Sequence, residues 1–393
     1  MKAFRIILCL FVVQISFGQN ISFNKGEVIT KNYYSEIQYE FVKGKIIIPV
    51  IIKGKTYQFL LDTGAPNLIS SDLKNTLDKT KLKSISVKDA NNNRRRMDLV
   101  TLPILSIGNI EFKEQTALVY ELESNLLFYC FKIDGIIGSN LFRKSILKIL
   151  SKEKKIIITN SIKKVNPNKQ FKSNLNLIGA QSSPYIIIRL KGEKNATESL
   201  LFDTGMDGFY DLCLKHYNLF TKEKALTTHS EGEGSIGMSL FGNAKSNNQY
   251  RLKIPEINFP GATFKNVVTQ TTDDDNSRIG SKLLNYGNVT IDFKHKDFYF
   301  EPFEKINDLD EKLLAFSPTI LNNKVSVGIV WNDSLNKKIS YGDEIISVNG
   351  INFSQMDICE LLINNTIFKE EEYFEIKLKD AEGETKTINL TKQ

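Results

Sequence analysis

Phe59-Leu60-Leu61-Asp62-Thr63-Gly64 and Leu200-Leu201-Phe202-Asp203-Thr204-Gly205 are two copies of one pattern, an apolar run closed by Asp-Thr-Gly. In both places strand-like residues hand over to a turn, because Asp and Gly favour turns. The residues beyond each copy repeat as well. Ile136-Ile137-Gly138-Ser139-Asn140-Leu141 lies downstream of the first triplet, and Arg278-Ile279-Gly280-Ser281-Lys282-Leu283 lies at a similar distance from the second. Ile146-Leu147-Lys148-Ile149 and Val289-Thr290-Ile291-Asp292-Phe293 come next, again at matching distances. An internal repeat of about 140 residues is longer than a solenoid unit and reads as two related lobes.

A repeated Asp has a chemical consequence if the two copies meet. Like charges a few ångströms apart cannot both ionise cheaply, so one proton is held between them. Such a pair offers a base and an acid in one place, which water activation and leaving-group protonation both require. The competing reading is a duplicated β-domain whose triplets are only tight turns.

The chain of 393 residues starts Met1-Lys2-Ala3-Phe4-Arg5, runs apolar from Ile6 to Ile15 and continues Ser16-Phe17-Gly18. These are the parts of a secretory signal peptide over residues 1–18, cleaved after Gly18. The run falls short of the ~20 apolar residues a spanning helix needs, so no transmembrane anchor is expected. The reading is an exported protein, periplasmic or secreted. Loss of Lys2 and Arg5 with the leader takes the net charge from +7 to +5. No basic stripe tracks a nucleic-acid backbone, so no nucleic acid is expected as a partner. Arg94-Arg95-Arg96 reads as a solvated loop or as a rim that attracts acidic substrate residues. Once the leader and its Cys9 are removed, Cys130, Cys213 and Cys359 remain, widely spaced and odd in number, which indicates neither a zinc site nor a disulfide framework. Each reads as a small buried apolar residue. With His216, His229 and His295 equally scattered, no metal and no cofactor is assigned.

In the first lobe, residues 45–52 are rich in Ile and Val, Lys53-Gly54-Lys55 turns, and 57–61 return as a strand. Pro49 points to an edge position or a bulge. In the second lobe, 185–190 form a strand, 191–197 a loop and 199–202 another strand. Residues 160–170 read as the inter-lobe linker. The hairpin of 289–293 and 298–300 closes the second lobe. Residues 304–312 read as a second linker or a short helix. Beyond Leu314 the pattern changes. Residues 325–330 form a strand, and Asn349-Gly350 is a strong hairpin signal. Ser354 and Asp357 have capping-box spacing ahead of Ile358, Leu361 and Leu362, which predicts a short helix.

The two Asp-Thr-Gly copies and the Ile136-Ile137-Gly138 echo resemble retropepsin-type and pepsin-type aspartic proteases. The resemblance implies a mainly β fold of two pseudo-symmetric acid-protease β-barrel lobes, residues 19–160 and 174–303, in one chain. It implies Asp62 and Asp203 as the catalytic pair. Thr63 and Thr204 correspond to residues that cross-brace the two turns, Gly64 and Gly205 to positions where backbone nears the carboxylates, and Gly138 and Gly280 to the packed echo glycines. Met206, where a small residue is usual, and Arg278, at a normally apolar position, depart from the pattern. Flaps over the cleft are expected at 89–98 and 232–237, the latter with glycines suited to a mobile tip. Either stretch also reads as a plain surface loop.

The last segment, residues 314–393, resembles a PDZ-like α+β domain of the bacterial type, chiefly through Tyr341 to Gly350. Ala315, Phe316 and Ser317 correspond to its peptide-carboxylate loop, and such domains accept a peptide by strand addition. The other reading is a domain that only packs on the lobes. The implied activity is an aspartic endopeptidase acting on a peptide or protein substrate. The alternative is a non-catalytic peptide-binding protein of the same fold, with an envelope structural role as a third reading.

Overall fold

In the computed structural model, residues 23–77, 81–121, 125–363 and 366–393 are described. The expected signal peptide lies outside the described residues. The chain is mainly β, as expected. Each triplet ends a strand of its own large sheet: Lys55–Asp62 in an 11-stranded sheet and Asn195–Asp203 in a 15-stranded one. The repeat in sequence becomes a repeat in pairing. Strand Gly135–Gly138 runs parallel to Lys55–Asp62, with Ile137 opposite Leu61 and Gly138 opposite Asp62. Strand Arg278–Gly280 runs parallel to Asn195–Asp203, with Ile279 opposite Phe202 and Gly280 opposite Asp203. On their other edges the echoes pair antiparallel with Leu68–Ser70 and Tyr210–Cys213. Each Asp is thus clamped at the end of a strand whose apolar residues are buried on both faces.

A third sheet of six strands joins the two halves. Tyr34–Gln38, Lys155–Thr159 and Ile146–Leu150 come from the first half. Gly287–Asp292, Asp297–Pro302 and Lys172–Asn174 come from the second. The seam is the antiparallel pairing of Ile146 with Asp292, Leu147 with Ile291, Lys148 with Thr290 and Ile149 with Val289. The hairpin expected to close the second lobe alone therefore pairs across the halves. Its alternate residues Val289, Ile291, Phe298 and Phe300 are at most 1 % exposed and join one core that spans both halves.

Other expectations are corrected by the structure. Arg94-Arg95-Arg96 is strand rather than loop, opening Arg94–Thr101. Residues 304–312 hold a short strand, Ile306–Asp308, parallel to Ala262–Thr272, in place of a free linker or helix. The loop expected over 191–197 is a tight turn between Ser183–Lys191 and Asn195–Asp203. Pro49 is in a strand with neighbours on both sides. Pairing with Glu40–Val42 stops at Ile47 and pairing with the strand Leu105–Ile107 begins at Ile51, so the proline falls in the gap where no N–H is needed.

The C-terminal unit has its own apolar cluster around Phe316, Val327, Phe374 and Ile376. The turn at Asn349-Gly350 has φ of 49° and 79°, a left-handed pair that joins Glu344–Val348 to Ile351–Asn352. The expected helix is Ile358–Ile363, and its cap is Asp357, whose Oδ1 accepts from the Cys359 and Glu360 N–H groups. Besides Asn243 Nδ2, which donates to Ile320 O at 2.7 Å, three links among the described residues bind the unit into the rest of the chain. Strand Lys324–Val330 pairs with Thr227–Gly234 through Ile329 and Gly234, and Ser235 N–H donates to Gly328 O. Arg251 donates to Leu314 O at 2.9 Å while its guanidinium lies 4.6 Å from the Trp331 ring. The third link overturns the cysteine reading. Cys130 and Cys359 form a disulfide between helix Leu126–Phe131 and helix Ile358–Ile363. Of the described cysteines, Cys213 alone fits the expectation of a free, buried residue.

Candidate active site

The two triplet turns interlock at the meeting of the halves. Thr63 N–H donates to Thr204 Oγ1 at 3.1 Å, and Thr204 N–H donates to Thr63 Oγ1 at 3.1 Å. Each hydroxyl then donates onward across the seam, Thr63 to Phe202 O at 2.6 Å and Thr204 to Leu61 O at 2.8 Å. Both threonines are completely buried. Four reciprocal hydrogen bonds hold the turns in one register, which a pair of flexible loops could not do.

That register brings Asp62 and Asp203 together. A Cβ on Gly64 would lie 2.6 Å from Asp203 Cγ, and one on Gly205 would press as hard on Asp62. Glycine is therefore needed at both positions for the carboxylates to approach. Asp62 Oδ1 accepts from the N–H groups of Gly64 at 2.9 Å and Ala65 at 3.1 Å. Asp203 Oδ1 accepts from Gly205 N–H at 2.9 Å, while Met206 N–H turns to the Asp203 carbonyl. Burial, then the charge of Asp203 and a hydrogen bond with it, hold the Asp62 carboxyl well above the usual carboxylate range. The Gly64 N–H and Lys45 pull the other way and lose. The pair can therefore keep a proton where isolated carboxyls have lost theirs.

Sequence reasoning missed three neighbours. Lys45 Nζ donates to Gly205 O at 2.5 Å and lies 3.9 Å from Asp207. Gln181 Nε2 donates to Gly64 O at 2.9 Å. Arg278, marked only as a departure, reaches into the site. Its Nη1 is 3.7 Å from Asp203 Oδ2 and 3.6 Å from Asp274 Oδ2, and its Nη2 donates to Asp211 Oδ2 at 3.2 Å. Burial pushes the Asp211 carboxyl up to about 6, against the pull of Arg278. No local signal marks the lysine or the glutamine. The arginine is marked by comparing the two echoes, since its counterpart Ile136 is buried among apolar side chains.

The carboxylates lie in a cleft of about 700 Å³. On the first-half side Ile47, Leu60, Leu68, Phe128 and Ile136 form an apolar patch, with Lys45, Lys88 and Asp89 also lining it. The second-half side is mixed, with Tyr185, Asp211, Asp274 and Arg278 beside Leu201 and Met206. A roof crosses between the halves. From the first half comes the turn between strands Lys83–Lys88 and Arg94–Thr101. From the second comes the loop that carries residues 235–246. Asp89 Oδ2 accepts from Phe241 N–H at 2.8 Å, and Asn91 Nδ2 donates to Gly237 O and Gly242 O. Asn125 and Tyr120 donate to Leu240 O, and Phe241 is only 7 % exposed. The expected flap glycines have a different task. A Cβ on Gly232 or Gly234 would strike the carbonyls of Val330 and Gly328, so these glycines admit the C-terminal unit rather than loosen a tip.

Of the residues read as a peptide-carboxylate loop, Phe316 is in the core of the C-terminal unit. Ala315 O accepts from Trp331 N–H. Ser317 Oγ receives Trp331 Nε1 at 2.8 Å and faces Arg251. The neighbouring strand Phe316–Leu321 pairs only with Lys324–Val330 among the described residues.

Residues 48–141, which hold the first triplet and its echo, match the aspartyl protease family. No curated protein matches the chain. Among solved structures, the chain is similar to conglutin gamma, a basic 7S globulin from lupine seeds (11% identity, 69% of this chain and 95% of that one, TM-score 0.42). It is also similar to an aspartic proteinase from Irpex lacteus (10% identity, 70% and 98%, TM-score 0.41) and to basic 7S globulin from soybean (12% identity, 68% and 94%, TM-score 0.40).

Proposed function

We propose that the chain is an aspartic-type endopeptidase in which Asp62 and Asp203 activate water. The observation that carries the reading is the reciprocal threonine interlock, which holds two carboxyl groups against each other at the floor of a cleft. A water between the carboxyls gives a proton to the ionised partner as its oxygen attacks the scissile carbonyl. The protonated partner donates a hydrogen bond to the oxygen that gains charge. The C–N bond then breaks, with the leaving nitrogen taking a proton from the pair. A cleft lined by both apolar and polar side chains suits an extended peptide whose alternate side chains differ in polarity.

The single edge pairing of strand Phe316–Leu321 supports peptide capture by strand addition in the PDZ-like unit. A disulfide between distant parts of the chain supports an oxidising compartment and hence export. A non-catalytic peptide binder is favoured by one observation, the approach of Arg278 to an oxygen of Asp203. Incubating the mature protein with a peptide library, beside Asp62→Asn and Asp203→Asn, separates the two. Cleavage that both substitutions abolish supports the endopeptidase, and binding without cleavage by the native chain supports the binder.

A further inference from the structure

The two halves repeat each other closely around the carboxyl pair, and they differ most sharply at one position. Ile136 stands opposite Leu60 in the first half, and Arg278 stands opposite Leu201 in the second. The side chain of Ile136 joins an apolar cluster, whereas that of Arg278 is 14% exposed and turns to three carboxylates. Only its contact with Asp211, at 3.2 Å, is a hydrogen bond; Asp203 and Asp274 stand at 3.7 and 3.6 Å, and its Nε is buried without a partner. A structural ion pair would be expected to use the planar fork of arginine more fully. Here the guanidinium stands at the centre of a charge cluster and not at the end of a paired bridge.

We infer that Arg278 is a positioning residue that breaks the symmetry of the pair, holding Asp203 as the carboxylate and leaving the shared proton on Asp62. Every charged group that faces the pair bears on this. On the side of Asp203 are Arg278, from the echo strand, and Asp211, from strand Tyr210–Cys213. Asp274, from the turn after Ala262–Thr272, and Tyr185, from Ser183–Lys191, complete that side. On the side of Asp62 are Lys45 and two backbone N–H groups. Lys45 spends its ammonium on Gly205 O and Asp207, and among the described residues the cation within 4 Å of either carboxyl is Arg278. Burial drives Asp211 and Asp274 toward their neutral forms, which leaves more of the guanidinium field to Asp203. A nearby cation favours the ionised form of the carboxyl it faces and lowers its proton affinity. The peptidase reading is needed only for the activity arm of the test.

The test is a pH titration of the full-length protein carrying ¹³C at the Asp carboxyl carbons. Asp62→Asn and Asp203→Asn assign the signals of the pair. The expected result is that Asp203 ionises first and Asp62 keeps its proton to higher pH. Arg278→Met, which restores an apolar side chain, should raise the Asp203 transition by about one pH unit. Arg278→Lys should retain most of the native value. The acid limb of the pH–rate profile should move with the transition, which a merely structural role would not produce. If Arg278→Met fails to fold, Arg278→Gln removes the charge while keeping a polar side chain and should move the Asp203 transition in the same upward direction. Asp62 ionising first, or transitions that ignore these substitutions, overturns the inference. Split titration in a protein that cleaves no peptide would leave the role of Arg278 standing and sink the endopeptidase reading.

Discussion

Thr63→Val replaces a buried hydroxyl with a methyl of nearly the same shape, so its cost isolates the interlock. The substitution leaves two buried groups without partners, the carbonyl of Phe202 and the N–H of Thr204. Each orphaned buried group costs about 1–3 kcal/mol, which places the total at about 2–6 kcal/mol. That is a large share of the roughly 5–15 kcal/mol that stabilises a typical domain. Thr63→Ser keeps both hydrogen bonds and should stay within about 1 kcal/mol of the native chain. Urea unfolding followed by far-UV circular dichroism reads the effect. With a slope of about 3 kcal/mol/M, the midpoint should drop by about 0.7–2 M in the valine variant. Peptidase activity should fall in the folded valine variant as well, because the carboxyls lose their common register. A valine cost below about 0.5 kcal/mol, or an equal loss with serine, would refute the claim that these bonds hold the halves in register.

Three further outcomes are expected. Trp331 is the one tryptophan of the chain and stacks beside Arg251, so Arg251→Ala should shift its emission to the red and loosen the C-terminal unit by about 1–3 kcal/mol; unchanged emission would deny the contact. Reduction, or Cys359→Ser, opens a link across 229 residues, for which chain entropy sets an upper bound of about 5 kcal/mol. Limited proteolysis should then cut residues 303–313 faster, and an unchanged rate would show that the disulfide does not hold the unit. Asp211, raised by burial to about 6, binds its proton more tightly in the folded chain than in the unfolded one. Its contribution is complete below pH ~4 and is lost as pH rises through about 6, an effect of about 3 kcal/mol. Unfolding midpoints of the native chain minus those of Asp211→Asn should therefore fall between pH 4 and pH 7, and a rise would reverse the assigned sign.

How much of this was legible depended on how local each cause is. The triplets and their echoes carry their own pairing: apolar runs make buried strands, and a glycine opposite each Asp marks the parallel register. Asn349-Gly350 acts within a few residues and was equally plain, while the capping-box spacing found the helix but not its cap, which is Asp357 and not Ser354. The disulfide was hidden because Cys130 and Cys359 meet only after two separate units dock. The same distance hid the purpose of Gly232 and Gly234, which a mobile tip explained equally well until the strand Lys324–Val330 came alongside. The hairpin of 289–293 and 298–300 was recognised from its residues, while its partner Ile146–Leu150 was not, because any apolar strand edge would have served. Arg278 was visible as an oddity, and only the fold shows that three carboxylates surround it.

The six-stranded sheet that joins the halves has a mechanical consequence. Backbone hydrogen bonds run unbroken across the seam from Tyr34–Gln38 to Lys172–Asn174, so the halves cannot swing apart like jaws without tearing a ladder of main-chain bonds. The upper crossing is joined differently, by side chains such as Asp89, Asn91 and Asn125 that bond to the opposite loop and not by a continuous sheet. The molecule is built as a fixed trough beneath a bridge held by side chains, so on the proposed peptidase reading that bridge is where entry to the carboxyl pair would be controlled.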